Sequence, residues 1–287
     1  MRNFLQLDVF ADRPGAGNPL AVVLDAQGMS IEQMQAFANW TNLSETSFLL
    51  PPSQQGADYQ VRIFTPKQEL PFAGHPSIGS AHAALEAGIC TAVDGQLLQQ
   101  CAVGLLPISV EHTPEGQQIF IRAPRAQNLA ANPKLIQLAK ALQIGVFGQL
   151  PASLMDNGPR WWCVQLADEA SVRNLQPDLS LLADFTQHNQ AVGVAVFAHC
   201  HDSDHQLVVR AFCPADGIPE DPVTGSANAC IAALLHATKQ LPNKRYTVSQ
   251  GREIGRDGKV MVRVDDEGEV WIGGHTQSLI RGQLNWV

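Results

Sequence analysis

Residues 220–227 read Glu220-Asp221-Pro222-Val223-Thr224-Gly225-Ser226-Ala227, and an earlier stretch reads Glu69-Leu70-Pro71-Phe72-Ala73-Gly74-His75. Glu69 and Gly74 recur as Glu220 and Gly225, offset by 151 positions. Just upstream, Arg62-Ile63-Phe64-Thr65-Pro66 matches Arg210-Ala211-Phe212-Cys213-Pro214, offset by 148. The second copy therefore has a slightly longer loop. Both copies pass from a strand pattern through a loop into a small-residue, apolar helix. Two matches in the same order mark a duplicated strand–loop–helix unit.

The two helices lack charge. No Asp, Glu, Lys or Arg occurs from Gly74 to Leu85, nor from Pro222 to Thr238. A helix that is apolar all round is buried on all sides. The rest of the chain is strand-rich. Strand patterns fall at 3–10, 19–25, 46–50, 58–64, 95–101, 105–111 and 117–122. A second series falls at 161–167, 191–199, 206–213, 245–249, 259–265, 269–273 and 278–285. Asp257-Gly258 and Glu267-Gly268 supply hairpin turns. Further helices are predicted at 31–41, 132–144 and 178–187, the first behind a capping box of Ser30 and Gln33.

So few helices among so many strands argue against a doubly wound parallel sheet. The expected fold is α+β, with two pseudo-symmetric domains. Each is a curled, mostly antiparallel sheet or barrel around a central helix. The N-terminal half is placed at 1–118, with its helix near 75–87, and joined by a C-terminal strand at 279–287. The C-terminal half is placed at 119–278, with its helix near 226–238. A chain of 287 residues fits two domains at roughly 150 residues each.

Charge narrows the function classes. The formal net charge is -8 and no basic run is present, which excludes an electrostatic nucleic-acid or membrane-surface binder. No apolar stretch reaches the ~20 residues of a transmembrane helix. The N-terminus alternates like a strand and lacks a signal peptide's apolar core, so the cytoplasm is the expected location. The six cysteines include no C-x-x-C pair and read as reduced, mostly buried thiols.

Each charge-free helix begins at a Gly-containing loop. Helix N-termini bind anions, because their first amides are unpaired and the dipole is positive there. If both N-termini face one cleft between the halves, Gly74 and Gly225 supply amides for a substrate carboxylate or a developing enolate. His75, Ser77, Glu220, Asp221, Thr224 and Ser226 lie around these loops. Ser77 and Thr224 are read as substrate-binding. The helix dipole favours a neutral imidazole at His75.

Glu45 lies between a helix end and a buried-looking strand. From the residues alone its role stays open between a surface or ion-paired carboxylate and a functional one. The segment from His199 to His205 has metal-ligand residue types, but alternate residues on a hairpin point to opposite faces, so no metal site is expected. His82 and His236 read as satisfied core residues. Trp161 and Trp162 read as core packing ahead of cleft lining.

The chain resembles the PhzF-like family, named for phenazine biosynthesis, within the diaminopimelate-epimerase fold superfamily. The matching segments are Asp8-Val9-Phe10, Gly17-Asn18-Pro19, Ser44-Glu45-Thr46, Phe64-Thr65-Pro66, Gly74-His75-Pro76, Glu220 through Ala227, and Gly251 through Gly255-Arg256. They run in family order over nearly the whole chain. The resemblance implies a cofactor-free isomerase or epimerase, a homodimer, that moves a proton on a small carboxylate in a cleft between its halves. It implies Glu45 as catalytic acid/base, supported by His75, Asp221 and Ser226. Related epimerases in the superfamily carry two cysteines, each one residue before the loop Gly, where this chain has Ala73 and Thr224. One carboxylate acting along one face of a conjugated system fits this inventory better than a two-thiol inversion. The alternative is a small-acid or protein-partner binding protein on the same fold, without turnover.

Overall fold

The computed structural model describes residues 1–129, 134–201 and 204–286. Its elements begin with β1 (Arg2–Val9), β2 (Asn18–Val23), α1 (Ile31–Thr41), β3 (Thr46–Leu50), β4 (Tyr59–Phe64), β5 (Glu69–Leu70), α2 (Gly74–Glu86), β6 (Gln96–Cys101), β7 (Gly104–Thr113) and β8 (Gly116–Arg122). They continue with β9 (Gln127–Asn128), α3 (Leu135–Leu142), β10 (Ser153–Asp156), β11 (Arg160–Gln165), α4 (Glu169–Arg173), α5 (Leu179–His188), β12 (Gly193–His199), β13 (Leu207–Cys213) and β14 (Ile218–Asp221). Last come α6 (Gly225–Ala237), β15 (Arg245–Gln250), β16 (Gly258–Val264), β17 (Val270–Gly274) and β18 (Thr276–Leu284). The chain divides into one unit of Met1–Arg122 with Gly273–Val287, and a second of Ala123–Ile272.

In the first unit the strands run in the order β18, β1, β2, β3, β4, β6, β7, β8, with β5 also paired to β4. All pairings are antiparallel except β2 with β3 and β4 with β6. Parallel neighbours need a crossover, and α1 and α2 provide the two required here. Helix α2 packs against β1, β2, β3, β4 and β6, and also against β8 and β18 at opposite ends of that order. A helix can touch both ends of one sheet only if the sheet curls around it. The charge-free stretch explains why this helix tolerates that burial. Gly79 makes the close approach possible: a Cβ there would lie 2.5 Å from Leu20 Cδ2 and 2.9 Å from Val9 Cγ2.

Helix α1 begins at the Ser30–Gln33 capping box and ends at Asn42, whose left-handed φ of 53° breaks the helix. It buries Met34, Phe37 and Ala38 in a cluster with Val23, Phe48 and Phe64.

The second unit repeats the plan. Its strands run β9, β10, β11, β12, β13, β15, β16, with β14 also paired to β13. The parallel pairs are β11 with β12 and β13 with β15, the counterparts of those in the first unit. Helix α6 packs against β10, β11 and β16. A separate core of Leu138, Leu142, Trp162, Val164, Leu182, Phe185, Val194 and Phe212 joins α3 and α5 to the sheet.

The repeat is visible in side chains as well. Arg62 pairs with Glu69 through Nε–Oε1 and Nη2–Oε2, both at 2.7 Å. Arg210 pairs with Glu220 in the same two-pronged way, at 3.0 and 2.7 Å. Each guanidinium also lies over a ring, Arg62 on Phe64 and Arg210 on Phe212, 5.4 and 5.0 Å from the centroids. The longer loop of the second copy is absorbed by a short 3₁₀ turn at Pro214–Asp216 and by Gly217, with φ of 84°.

Some expectations need correction. The helix predicted at 132–144 is observed only from Leu135, and 132–133 lie outside the described residues. Strands β5, β9, β10 and β14 and helix α4 were not anticipated, being too short to show a period. His236 is exposed, because α6 is leaving its sheet by its last turn. His82 is half-buried, and its Nε2 meets Ser278 Oγ at 3.0 Å and Glu86 at 3.5 Å. Among the described residues, no helix is long and apolar enough to cross a membrane.

Candidate active site

Asn42 turns the chain out of α1, and three residues later Glu45 stands at the entry to β3. Thr46 and Ser47 beyond it are fully buried. The Glu45 side chain is 18% exposed. Burial pushes its carboxyl up to about 7, opposed in part by a hydrogen bond from Ser44. The Ser44 hydroxyl also approaches Asn18 Oδ1 at 3.4 Å, and Asn18 is almost fully buried. Glu45 Oε2 lies 3.5 Å from His75 Nε2.

His75 is the second residue of α2, after Gly74. Ala73 precedes them in extended conformation and no side chain caps this helix start. Pro76 follows without an N–H, so the amides of Gly74 and His75 are the donors in the first helical residues. The first unit thus brings together Glu45, His75 and the Gly74 turn.

Ser77 does not join them. It is fully buried, and its hydroxyl donates to Ala73 O at 2.8 Å while accepting from Gln99 Nε2 at 3.0 Å. Gln99 Oε1 accepts in turn from Tyr59 OH. The single hydroxyl proton is already committed, so Ser77 holds the helix start in shape and offers a substrate nothing.

The second unit gathers Asp221, Thr224, Gly225 and Ser226. Asp221 ends β14, opposite Ala211 of β13. Thr224 Oγ1 donates to Asp221 Oδ2 at 2.5 Å and accepts from Gln250 Nε2 at 2.9 Å. Its hydroxyl positions the Asp221 carboxylate and has no proton left for a ligand. Gly225 opens α6, again without a side-chain cap. Ser226 is partly exposed, and its Oγ accepts from Trp161 Nε1 at 3.0 Å.

Two glutamines missed in the sequence hold the helix starts. Gln250, fully buried, accepts from Thr224 N and Asn228 Nδ2 and donates to Asp221 O. Asn228 Nδ2 also donates to Thr224 O at 2.8 Å, as Ser77 Oγ does to Ala73 O. Gln99 with Ser77, and Gln250 with Asn228, are the same pair displaced by 151 positions. Carrying the repeat beyond the helices would have found them.

The metal-like segment contributes Cys200 and His205 to one cluster, although no metal site was expected there. Glu169, Cys200 and His205 converge, with 202–203 outside the described residues. Arg173 occupies that convergence: its Nε is 2.6 Å from Glu169 Oε1 and its Nη2 is 3.4 Å from His205 Nε2. Burial and the neighbouring Glu169 push the Cys200 thiol up to about 12. Trp161 and Trp162 are both buried.

Comparison with known proteins agrees with the residue-level resemblance. The family model described as phenazine biosynthesis-like protein, PhzC-PhzF, matches residues 7–282. The chain is 35% identical to the trans-2,3-dihydro-3-hydroxyanthranilate isomerase of Pseudomonas aeruginosa, covering 94% of this chain and 92% of that one. It is 34% identical to antisense-enhancing sequence 1 of Schizosaccharomyces pombe, covering 98% of each. Among solved structures, a phenazine biosynthesis protein of the PhzF family from Bacillus anthracis superposes with a TM-score of 0.85 at 26% identity, covering 99% of both chains.

Proposed function

This chain belongs to the phenazine biosynthesis-like PhzC-PhzF family of isomerases, and we propose that it shifts a proton on a small carboxylate substrate by acid–base catalysis without a cofactor. The observation that carries this reading is Glu45. A carboxyl raised to about 7 exchanges protons near neutral pH, whereas an ordinary glutamate has already lost its proton there.

In this reading the Glu45 carboxylate takes a proton from a substrate carbon next to an activating group. The electron pair moves along the conjugated system. The protonated Glu45 then returns the proton at another carbon on the same face. His75, beside Glu45, orients the carboxyl or the substrate. The uncapped amides at Gly74 and Gly225 hold the substrate carboxylate or the charge that develops on it. Asp221, fixed by Thr224, and Ser226 meet polar substituents of the substrate. Ala73 and Thr224 stand as the N-caps of α2 and α6, and neither is a thiol, which supports a single-carboxylate mechanism. A cytoplasmic homodimer is the family expectation.

The name of the Pseudomonas aeruginosa relative supplies the first substrate to try, trans-2,3-dihydro-3-hydroxyanthranilate. The wild-type protein and Glu45→Gln are incubated in D₂O with that compound and with a panel of β,γ-unsaturated and α-amino carboxylates, followed by NMR. Deuterium is expected at a ring carbon with wild type only, and its position separates isomerisation from epimerisation. Undiminished exchange in a folded Glu45→Gln protein overturns the assignment. Ligand-induced shifts without any exchange would favour binding alone.

A further inference from the structure

Ser226 is gripped at two points by one hairpin. Trp161 Nε1 donates to its hydroxyl and Asn157 Nδ2 donates to its carbonyl, both at 3.0 Å. Trp161 lies on β11, and Asn157 lies in the turn that joins β10 to β11. Both are buried, at 2% and 4% exposure, whereas Ser226 is partly open.

Hydrogen-bond polarity decides what this grip does. An indole N–H only donates. Ser226 Oγ must therefore accept there, and its own proton must point elsewhere. Among the described residues no acceptor takes that proton. The carboxamide of Asn157 is oriented by the same logic, because a carbonyl only accepts and so must face the NH₂. An unrestrained serine rotates freely between donating and accepting. Here the indole takes one of the two lone pairs, and the proton is left for a ligand to accept.

We propose that Trp161 is a positioning residue that presents Ser226 to the substrate as a hydrogen-bond donor. The site then selects a substrate with an acceptor at that point, a carboxylate, carbonyl or ether oxygen. An ammonium or amide N–H there would find only the one lone pair that the indole leaves on the serine oxygen. This inference rests on the reading of Ser226 as a substrate contact.

Trp162 supplies the control. It is the neighbouring indole, fully buried, and its Nε1 has no hydrogen-bond partner among the described residues. Trp161→Phe and Trp162→Phe both shrink a buried ring and lose an indole N–H, but only the first removes a hydrogen bond. The five tryptophans give five indole signals in a ¹H–¹⁵N spectrum, and the two variants identify the signals of Trp161 and Trp162. Ser226→Ala is expected to move the Trp161 signal and leave that of Trp162 in place. In the D₂O assay with trans-2,3-dihydro-3-hydroxyanthranilate and the same panel, Trp161→Phe should lower kcat/KM about tenfold, the scale of one hydrogen bond. Ser226→Ala should match it, the double variant should fall no further, and Trp162→Phe should stay near wild type. An unmoved Trp161 signal in Ser226→Ala, a Trp161→Phe rate equal to that of Trp162→Phe, or an additive double variant overturns the proposal. Those results would leave Glu45-dependent exchange intact. Loss of the proton-transfer reading would show instead as no exchange by wild type or full exchange by Glu45→Gln.

Discussion

The carboxyl of Glu45 approaches the imidazole of His75 to 3.5 Å, yet the larger influence on it is the loss of water around it. Burial raises its pKa from an ordinary 4.5 to about 7. The folded protein therefore binds more protons than the unfolded chain between those values. Stability then falls as pH rises through that window, and the carboxylate is a burden above it. At 1.36 kcal/mol per pKa unit, the burden is about 3 kcal/mol. Glu45→Gln is expected to be more stable than wild type at pH 8 by about 1–3 kcal/mol and indistinguishable from it at pH 4. Urea unfolding at both values tests this, and an equal gain at both would show that the carboxyl is not raised.

The same group sets the pH dependence of turnover. A base must be ionised to take a proton, so kcat/KM should rise with pH and level off above about 7. At pH 5 the ionised fraction, and hence the rate, should be about a hundredfold below the plateau. Initial rates of deuterium exchange across pH 5–9 measure the limb. A limb near 4.5 would place an ordinary, solvated carboxylate at the chemistry.

The two Arg–Glu clasps should differ in weight although their geometry is alike. Arg210 and Glu220 have side chains only 6% exposed, and Arg210 also donates to the carbonyls of Val172, Arg173 and Leu175. Arg62 and Glu69 are 22% and 31% exposed. Removing one partner of a buried pair strands the other charge, at about 3–5 kcal/mol. A pair that water still reaches is worth about 1 kcal/mol or less. Glu220→Gln should therefore destabilise by several times more than Glu69→Gln. Chemical denaturation of the two variants checks the ratio, and equal losses would refute the assignment by burial.

Metal independence is open to a direct check at Glu169, Cys200 and His205. The guanidinium of Arg173 already pairs with Glu169 and Glu253 and reaches Ser249 Oγ at 3.0 Å. A divalent cation would have to displace that network. Dialysis against a strong chelator is expected to leave proton exchange unchanged, as is Cys200→Ser. Activity lost on dialysis and restored by one divalent ion would overturn this.

The sequence was most legible where a pattern had length. Helix α1 is bounded as its capping box predicts, and the central helices placed near 75–87 and 226–238 are observed one residue earlier, as α2 and α6. The curled sheets followed from those helices, because a helix without a polar face needs walls on every side. Elements of two to five residues, such as β5, β14 and α4, carry too few positions to show a period. Hydroxyl direction was also beyond reach. Ser77 and Thr224 sit beside the loops as expected, but only coordinates show their protons turned to Ala73 and Asp221. Gln99 and Gln250 were within reach, since the offset of 151 that aligned the loops also aligns them.

Gly79 tests the central helix of the first unit. In an open helix, Gly→Ala stabilises by about 1 kcal/mol through backbone entropy. Here the new methyl would lie 2.5 Å from Leu20 Cδ2 and 2.9 Å from Val9 Cγ2, distances that force something to move. Leu20 and Val9 are fully buried and have little room to yield. Overpacking a tight core costs about 1–3 kcal/mol, which outweighs the helical gain. Gly79→Ala should therefore lower stability by up to about 2 kcal/mol, the difference of those two effects. Thermal unfolding beside wild type measures it. A stabilised Gly79→Ala protein would mean that α2 stands away from β1 and β2, and that the sheet does not close on it.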